Sequence, residues 1–283
     1  MTDKTAAERR HIAFQGEPGA FSELACMRYA PELTPLACPT FEDAFEAVRS
    51  GRAAKAMLPI ENSLAGRVAD IHHLLPEAGL HIVGEHFLPI EHHLMARPGV
   101  KLEDVKTVRS HAMALGQCRR FIKDHGLRAE IAGDTAGAAR RLAQSGGDDE
   151  AVVASEHAAK HYRLNVLAAN IEDADHNTTR FLEMAAAPDD AAPDAGPVVT
   201  SFVFQVRNIP AALYKAMGGF ATNNVNMTKL ESYQQGGSFN ATMFYADIEG
   251  HPQDEPVRLA LEELSFFSSS LNILGVYKKA RER

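Results

Sequence analysis

The stretch Leu80-His81-Ile82-Val83-Gly84-Glu85-His86-Phe87-Leu88-Pro89-Ile90-Glu91-His92-His93-Leu94-Met95-Ala96 reads as extended chain at 80–83 and 86–96, with no crossover helix inside it. Around it, short apolar runs alternate with amphipathic stretches at helical spacing. Strands are expected at residues 11–15, 55–60, 107–110, 129–132, 151–154 and 180–184, and helices at 20–29, 112–125, 135–144 and 155–162. Thr40, with Asp43 three residues on, caps a further helix whose apolar stripe is Phe41, Ala44, Phe45 and Val48. Such alternation implies βαβ units and largely parallel sheets. A long extended segment within it can pass from one α/β lobe to a second, so one unbroken sheet is not required.

Further along, Ala185-Ala186-Ala187-Pro188-Asp189-Asp190-Ala191-Ala192-Pro193-Asp194-Ala195-Gly196-Pro197 has no apolar periodicity and reads as a linker. Beyond it the grammar changes. Strands are expected at 198–206, 225–232, 239–248 and 272–277, and helices at 211–222 and 255–264. That order is βαββαβ, the split arrangement of ferredoxin-like domains. Gln235-Gly236-Gly237-Ser238 supplies the hairpin turn between the middle strands.

The composition narrows the function classes. The 283 residues suit two domains, and a net charge of −8 argues against a nucleic-acid partner. No apolar run approaches the ~20 residues that span a bilayer, so no membrane partner is expected. The leader Met1-Thr2-Asp3-Lys4-Thr5-Ala6-Ala7-Glu8-Arg9-Arg10 has no apolar core, and the 3 cysteines, Cys26, Cys38 and Cys118, have no C-x-x-C spacing. Both features fit a cytoplasmic protein with reduced thiols. None of the 13 histidines falls in a metal-ligand pattern: the pairs His72-His73 and His92-His93 lack the helical i, i+4 spacing. Neither a metal nor another cofactor is expected.

Ligands of open α/β sheets collect at the carboxyl ends of strands. Four segments stand there. Gly16-Glu17-Pro18-Gly19-Ala20-Phe21-Ser22 is a strand–helix turn in which backbone amides can approach an anion; it is neither G-x-G-x-x-G nor a P-loop. Glu61-Asn62-Ser63 offers hydrogen-bonding side chains that can clamp carboxylates and hydroxyls, with a helix cap by Asn62 and Ser63 as the lesser alternative. Ser110-His111 invites a hydrolase reading, but neighbours on a strand face opposite ways and no G-x-S-x-G elbow exists. Asn177-Thr178-Thr179-Arg180-Phe181 brings together an amide, hydroxyls and a fixed positive charge.

Taken in order, Gly16–Ser22, Pro59-Ile60-Glu61-Asn62-Ser63, Ser110-His111 with Gln117-Cys118, Asp134-Thr135-Ala136 and Asn177-x-Thr179-Arg180-Phe181 resemble the motif series of prephenate dehydratases. Val225-Asn226-Met227-Thr228-Lys229-Leu230-Glu231-Ser232 resembles part of the ACT regulatory domain carried by that family. The resemblance implies an α/β fold: a bilobed, type II periplasmic-binding-protein-like catalytic domain over 11–186, followed by a ferredoxin-like ACT domain over 198–279. Lobe 1 would hold about 11–84 and 175–186, lobe 2 about 85–174, and 187–197 would link the domains. A second crossing between lobes would fall near 171–177.

The implied reaction converts prephenate to phenylpyruvate, water and CO2, with L-phenylalanine as the effector and a homodimer or homotetramer as the assembly. By the same resemblance Thr179 assists departure of the hydroxyl, and Glu61 either acts as an acid or organises Asn62 and Ser63. Gly19, Asn62, Ser63, Ser110, Thr135 and Arg180 become the substrate-binding set. Ala211, Ala212, Leu213, Asn226, Met227, Glu231 and Ser232 become the phenylalanine-binding set. Two departures stand out. Ala211-Ala212-Leu213 replaces Gly-Ala-Leu, and Glu231-Ser232-Tyr233-Gln234 replaces Glu-Ser-Arg-Pro, which removes a fixed charge. Arogenate dehydratase, acting on the amino analogue, is the neighbouring alternative, and a non-catalytic bilobed solute sensor is the alternative from another class.

Overall fold

The computed structural model describes residues 10–234 and 241–280. The leader apart from Arg10, and the expected turn Gln235-Gly236-Gly237-Ser238, lie outside the described residues.

The chain enters through β1 (His11–Gln15), α1 (Phe21–Tyr29), β2 (Thr34–Cys38), α2 (Phe41–Arg49) and β3 (Lys55–Asn62). β1 pairs parallel with both β2 and β3. Its Ile12, Ala13 and Phe14 are fully buried, the continuous apolar run that a strand covered on both faces requires. Thr40 Oγ1 accepts from the Asp43 amide at 3.1 Å and starts α2. β2 was not expected, because Thr34-Pro35-Leu36-Ala37-Cys38 shows no alternation. It stands at the sheet edge, where the missing donor of Pro35 is tolerated. β4 (Gly66–Arg67) folds back on β3, and α3 (Ala69–Leu74) follows.

β5 (His81–Pro89) then leads through residues 90–92 into β6 (His93–Ala96) and a second sheet. There follow β7 (Thr107–His111), α4 (Ala112–Gln117), α5 (Arg119–Asp124), β8 (Arg128–Ala132), α6 (Thr135–Ser145), β9 (Glu150–Ala154), α7 (Glu156–Tyr162) and β10 (Asn165–Ala168). The second sheet has the order β10-β6-β9-β7-β8. β7 runs parallel to β8 and β9, whereas β6 is antiparallel to β9 and β10. The chain returns as β11 (Thr178–Ala185), which inserts between β3 and β5 and completes the first sheet, β2-β1-β3-β11-β5. Two α/β lobes joined by two crossings give the bilobed, type II periplasmic-binding-protein-like arrangement that was expected.

The single helix expected at 112–125 is interrupted at Cys118. Asp173, from the returning crossing, fills the break: its amide donates to the Gln117 carbonyl at 2.6 Å, and its carboxylate accepts from the Arg120 amide at 3.1 Å. A cap supplied from a distant segment leaves no local sequence signal. The interruption puts Gln117 in the last turn of α4.

The lobes meet at the turn after β1. Ser155 Oγ donates to the Gly19 carbonyl at 2.9 Å, and Tyr162 OH donates to the Pro18 carbonyl at 2.6 Å. Burial pushes the Tyr162 phenol up, with Glu17 adding to the effect, so the hydroxyl remains a donor. His157 Nε2 and Glu23 Oε2 lie 2.8 Å apart, and Arg140 reaches Glu17 at 3.1 Å.

The last elements are β12 (Val198–Val206), α8 (Ala212–Thr222), β13 (Met227–Gln234), β14 (Ala241–Glu249), α9 (Glu255–Phe267) and β15 (Ser268–Lys278). Their antiparallel sheet has the order β13-β14-β12-β15, the ferredoxin-like βαββαβ topology. Phe202, Phe204, Phe244 and Ile248 pack with Phe220, Ala260 and Leu264 of the two helices. On β12, β14 and β15 a polar cluster is buried as well. Ser201 Oγ donates to Asp247 Oδ1 at 2.5 Å, with Tyr245 and Tyr277 hydroxyls at 3.2 and 2.6 Å from Ser201.

By compactness one unit comprises residues up to His72 with His86–Phe181, and the other His73–Glu85 with Leu182 onward. The second therefore includes a segment the sequence assigns to the first lobe. Gly275 permits this: a Cβ there would lie 2.0 Å from the Ile82 carbonyl oxygen. The linker is pinned too, with the Ala191 amide donating to the Val276 carbonyl at 2.8 Å. Among the described residues no helix is long and apolar enough to cross a membrane.

The seam between lobes yields a direct test. Gly19 has φ +90°, and a Cβ there would lie 3.1 Å from Ala158 Cα. Gly19→Ala adds about 1–2 kcal/mol of left-handed strain and crowds α7. Its urea unfolding midpoint is expected to fall; an unchanged midpoint contradicts this packing.

Candidate active site

β3 and β11 face each other residue by residue. The Ser63 amide donates to the Thr178 carbonyl at 2.8 Å, Asn62 Nδ2 donates to Thr179 Oγ1 at 3.0 Å, and Arg180 Nη1 donates to Glu61 Oε1 at 3.0 Å. Side chains alternate along a strand, so Glu61–Arg180 occupies one face and Asn62–Thr179 the other.

The direction of each hydrogen bond on the Asn62 face can be derived. Asn62 Oδ1 accepts from the Leu64 and Ala65 amides at 3.0 and 2.9 Å. Backbone N–H groups only donate, so the oxygen of this carboxamide must face them. Its NH2 therefore faces Asn177 Oδ1 at 2.7 Å and Thr179 Oγ1 at 3.0 Å. Asn177 is oriented in turn, and its Nδ2 donates to Gln117 Oε1 at 3.1 Å. Gln117 Oε1 also lies 2.8 Å from His92 Nε2, and the His92 ring meets Phe21 edge-on with centroids 5.7 Å apart. One chain of contacts thus runs from the helix after the Gly19 turn to Thr179.

This arrangement leaves two donors without acceptors among the described residues. Thr179 Oγ1 already accepts from Asn62, so its proton is directed elsewhere. Gln117 Oε1 accepts twice, so its Nε2 faces away from that network. A neutral hydroxyl or a neutral amide of this kind can hydrogen-bond an oxygen that gains negative charge.

The other expected residues are placed as follows. Ser63 Oγ donates to the His176 carbonyl at 2.8 Å and accepts from the Thr178 amide at 2.9 Å, clamping β3 to the returning crossing. Ser110 is fully buried and donates to the Val153 carbonyl at 2.6 Å, tying β7 to β9. The Gly19 amide donates to Glu23 Oε2 at 2.6 Å. Thr135 opens α6, whose cap is Asp134. Arg180 is only 2% exposed and reaches Glu61 rather than the Thr179 face. In the second unit, Ala211 holds φ +62° ahead of Ala212 and Leu213 in α8. Asn226 Nδ2 donates to Glu249 Oε2 at 2.9 Å, Glu231 lies 3.2 Å from Lys229, and Met227 and Ser232 sit on β13.

Sequence reasoning quoted Asn177 and Gln117 within motifs without naming them as site residues, and it set His92 aside because the His-His pairs lack metal-ligand spacing. The cavity of about 720 Å³ that reaches Asn177 from the crossings is lined by Glu91, Glu172, Asp173 and Asp175 against Arg120. Its acidity disfavours a dianion. Nucleophilic thiol chemistry is disfavoured as well, since burial, with Glu172 and Asp173 nearby, pushes Cys118 up to about 12.

Known proteins share this organisation. A family model described as prephenate dehydratase matches residues 12–189. The bifunctional N-acyl-homoserine lactone acylase/prephenate dehydratase of Komagataeibacter europaeus is 52% identical over 268 residues, covering 95% of each chain. Arogenate dehydratase/prephenate dehydratase 1 of Arabidopsis thaliana is 41% identical, covering 94% of this chain and 71% of its own. The solved prephenate dehydratase of Arthrobacter aurescens, in complex with L-Phe, has a TM-score of 0.87 at 32% identity, covering 95% of this chain and 90% of that one. With the family model spanning the two lobes and such relatives matching nearly end to end, the chain belongs to the prephenate dehydratase family of hydro-lyases.

Proposed function

We propose that this chain converts prephenate to phenylpyruvate, and that the Thr179 hydroxyl, oriented by Asn62, stabilises the departing oxygen. In this reaction the bond from the ring to its carboxylate breaks and its electron pair enters the ring. The C–O bond breaks with its pair leaving on the hydroxyl, which takes up a proton from solvent to become water. Aromatisation supplies the driving force, and no electrons are exchanged with another molecule. The enzyme's tasks are to orient the dianion and to stabilise the charge that develops on the hydroxyl. Orientation in a closed site can lower such a barrier by up to ~7–11 kcal/mol.

The observation that carries this reading is the donor state of Thr179. Asn62 occupies one of its lone pairs at 3.0 Å, so the O–H is available to the leaving group. A threonine hydroxyl is too weak an acid to give up its proton outright. A hydrogen bond that strengthens as charge grows is worth about 2.7–4 kcal/mol when the donor is held in place. Glu61 and Arg180 act from the opposite face, holding β3 and β11 in register. A non-catalytic sensor has no need for a hydroxyl donor held in this way.

A second substrate is suggested by the plant relative, whose name joins arogenate to prephenate. The free Gln117 amide donor suits the side-chain carbonyl of prephenate better than the ammonium of arogenate. The acylase activity named for the Komagataeibacter relative would need a nucleophile, and Ser110-His111 does not supply one. Ser110 donates to Val153, and His111 Nδ1 accepts from the Met113 amide at 3.3 Å.

We also propose that phenylalanine binds the C-terminal unit as an ACT domain and tightens a dimer. The βαββαβ topology and the L-Phe complex of the Arthrobacter relative support this reading. Ala211 holds a left-handed backbone usually left to glycine, which marks a strained position at the expected effector site.

Two measurements check these readings. Thr179→Ala should lose about 100- to 1000-fold in kcat, whereas Thr179→Ser keeps most of it; near-normal turnover of Thr179→Ala contradicts the leaving-group role. Titration calorimetry with millimolar L-phenylalanine should give binding heat and favour the dimer in sizing experiments. No heat contradicts retained regulation.

A further inference from the structure

We propose that His92 is a positioning residue for the reaction, its Nε2–H fixing which end of the Gln117 carboxamide faces the substrate. Gln117 can present its NH2 to a ligand only if its oxygen is held by the protein. Asn177 Nδ2 supplies one donor to that oxygen at 3.1 Å, and His92 Nε2 lies 2.8 Å from it on another side. The Asn62–Asn177 chain has a set direction, so Gln117 Oε1 is an acceptor and His92 must carry its proton on Nε2. A carboxamide with two donors on its oxygen cannot flip without leaving both of these buried donors, Asn177 and His92, unmatched.

The ring's surroundings enforce the same state. His92 is 2% exposed, and its Nδ1 is buried with no hydrogen-bond partner. A proton on Nδ1 would have no acceptor, so the Nε2–H tautomer is the one this pocket accommodates. Burial also holds the ring below its ordinary pKa, against the opposing influence of Gln117 and Glu172, which keeps it neutral. The residue itself is fixed in the first crossing between lobes. Its amide donates to Glu172 Oε2 at 2.8 Å, and its carbonyl accepts from the Ile171 amide at 2.9 Å in the second crossing. Phe21 closes one edge of the ring. His92 thereby joins the two crossings to the Thr179 face through Gln117.

This assignment rests on the dehydratase reading, and the test separates the two. With 15N-labelled histidine, the signal absent from His92→Gln identifies the His92 ring. Its Nδ1 should show the shift of a bare nitrogen and its Nε2 that of a protonated one. His92→Leu should lower kcat/KM on prephenate about 10- to 100-fold, the size of effect that misplaced reacting groups produce. His92→Gln, which keeps a donor near the Nε2 position, should recover most of that loss. In a Gln117→Met background the same His92→Leu change should cost nothing further. A protonated Nδ1, or an undiminished loss in that background, overturns the proposal. If wild-type protein fails to turn over prephenate, the dehydratase reading falls, while the tautomer measurement still judges His92. If the leucine variant fails to fold, the nitrogen shifts decide.

Discussion

The candidate site depends on the orientation of one side-chain amide. Asn62 Oδ1 is held by two consecutive backbone amides, Leu64 and Ala65, in a tight turn at the end of β3. That local geometry dictates where its NH2 points. From there, direction passes to Thr179 on one side and through Asn177 to Gln117 on the other. Neutral groups are thereby aligned without a metal-like charge, and the donors face outward because their acceptor ends are already occupied. A charged donor at Thr179 would bind the anionic ground state as strongly as the transition state. A neutral, prealigned hydroxyl gains most as the leaving oxygen acquires charge.

Much of the fold was legible because it rests on periodicity. The buried run of β1, the capped α2 and the βαββαβ order of the last third follow from apolar spacing and turn chemistry. What escaped detection depends on distant partners. β2 is an edge strand containing Pro35, recognisable only once β1 lies beside it. The break at Cys118 exists because Asp173, remote in sequence, caps the exposed end of α5. The grouping of His73–Glu85 with the C-terminal unit follows from the missing side chain of Gly275 against Ile82.

The same division holds for the site. Asn62, Ser63, Thr179 and Arg180 could be singled out because they cluster at strand ends, and β3–β11 pairing sets Asn62 against Thr179 with Arg180 on the opposite face. Their division of labour was not legible. Strand alternation separates Arg180 from Thr179, yet only the fold shows that Arg180 meets Glu61 at 3.0 Å. Ser63 offers a hydroxyl to any anion in principle, but two backbone groups of the returning crossing take it. Gln117 stood out only as part of a motif and His92 carried no local signal, since their pairing joins an interrupted helix to a crossing strand.

The most direct test of the account is the turnover of Asn62→Asp. The substitution keeps the shape of residue 62 and the acceptor that Leu64 and Ala65 require, while replacing the NH2 by a second oxygen. The Thr179 hydroxyl should then turn to donate to that oxygen and no longer serve the leaving group. The account predicts a correctly folded protein whose kcat on prephenate falls about 100-fold or more. Near-normal kcat in Asn62→Asp would contradict it.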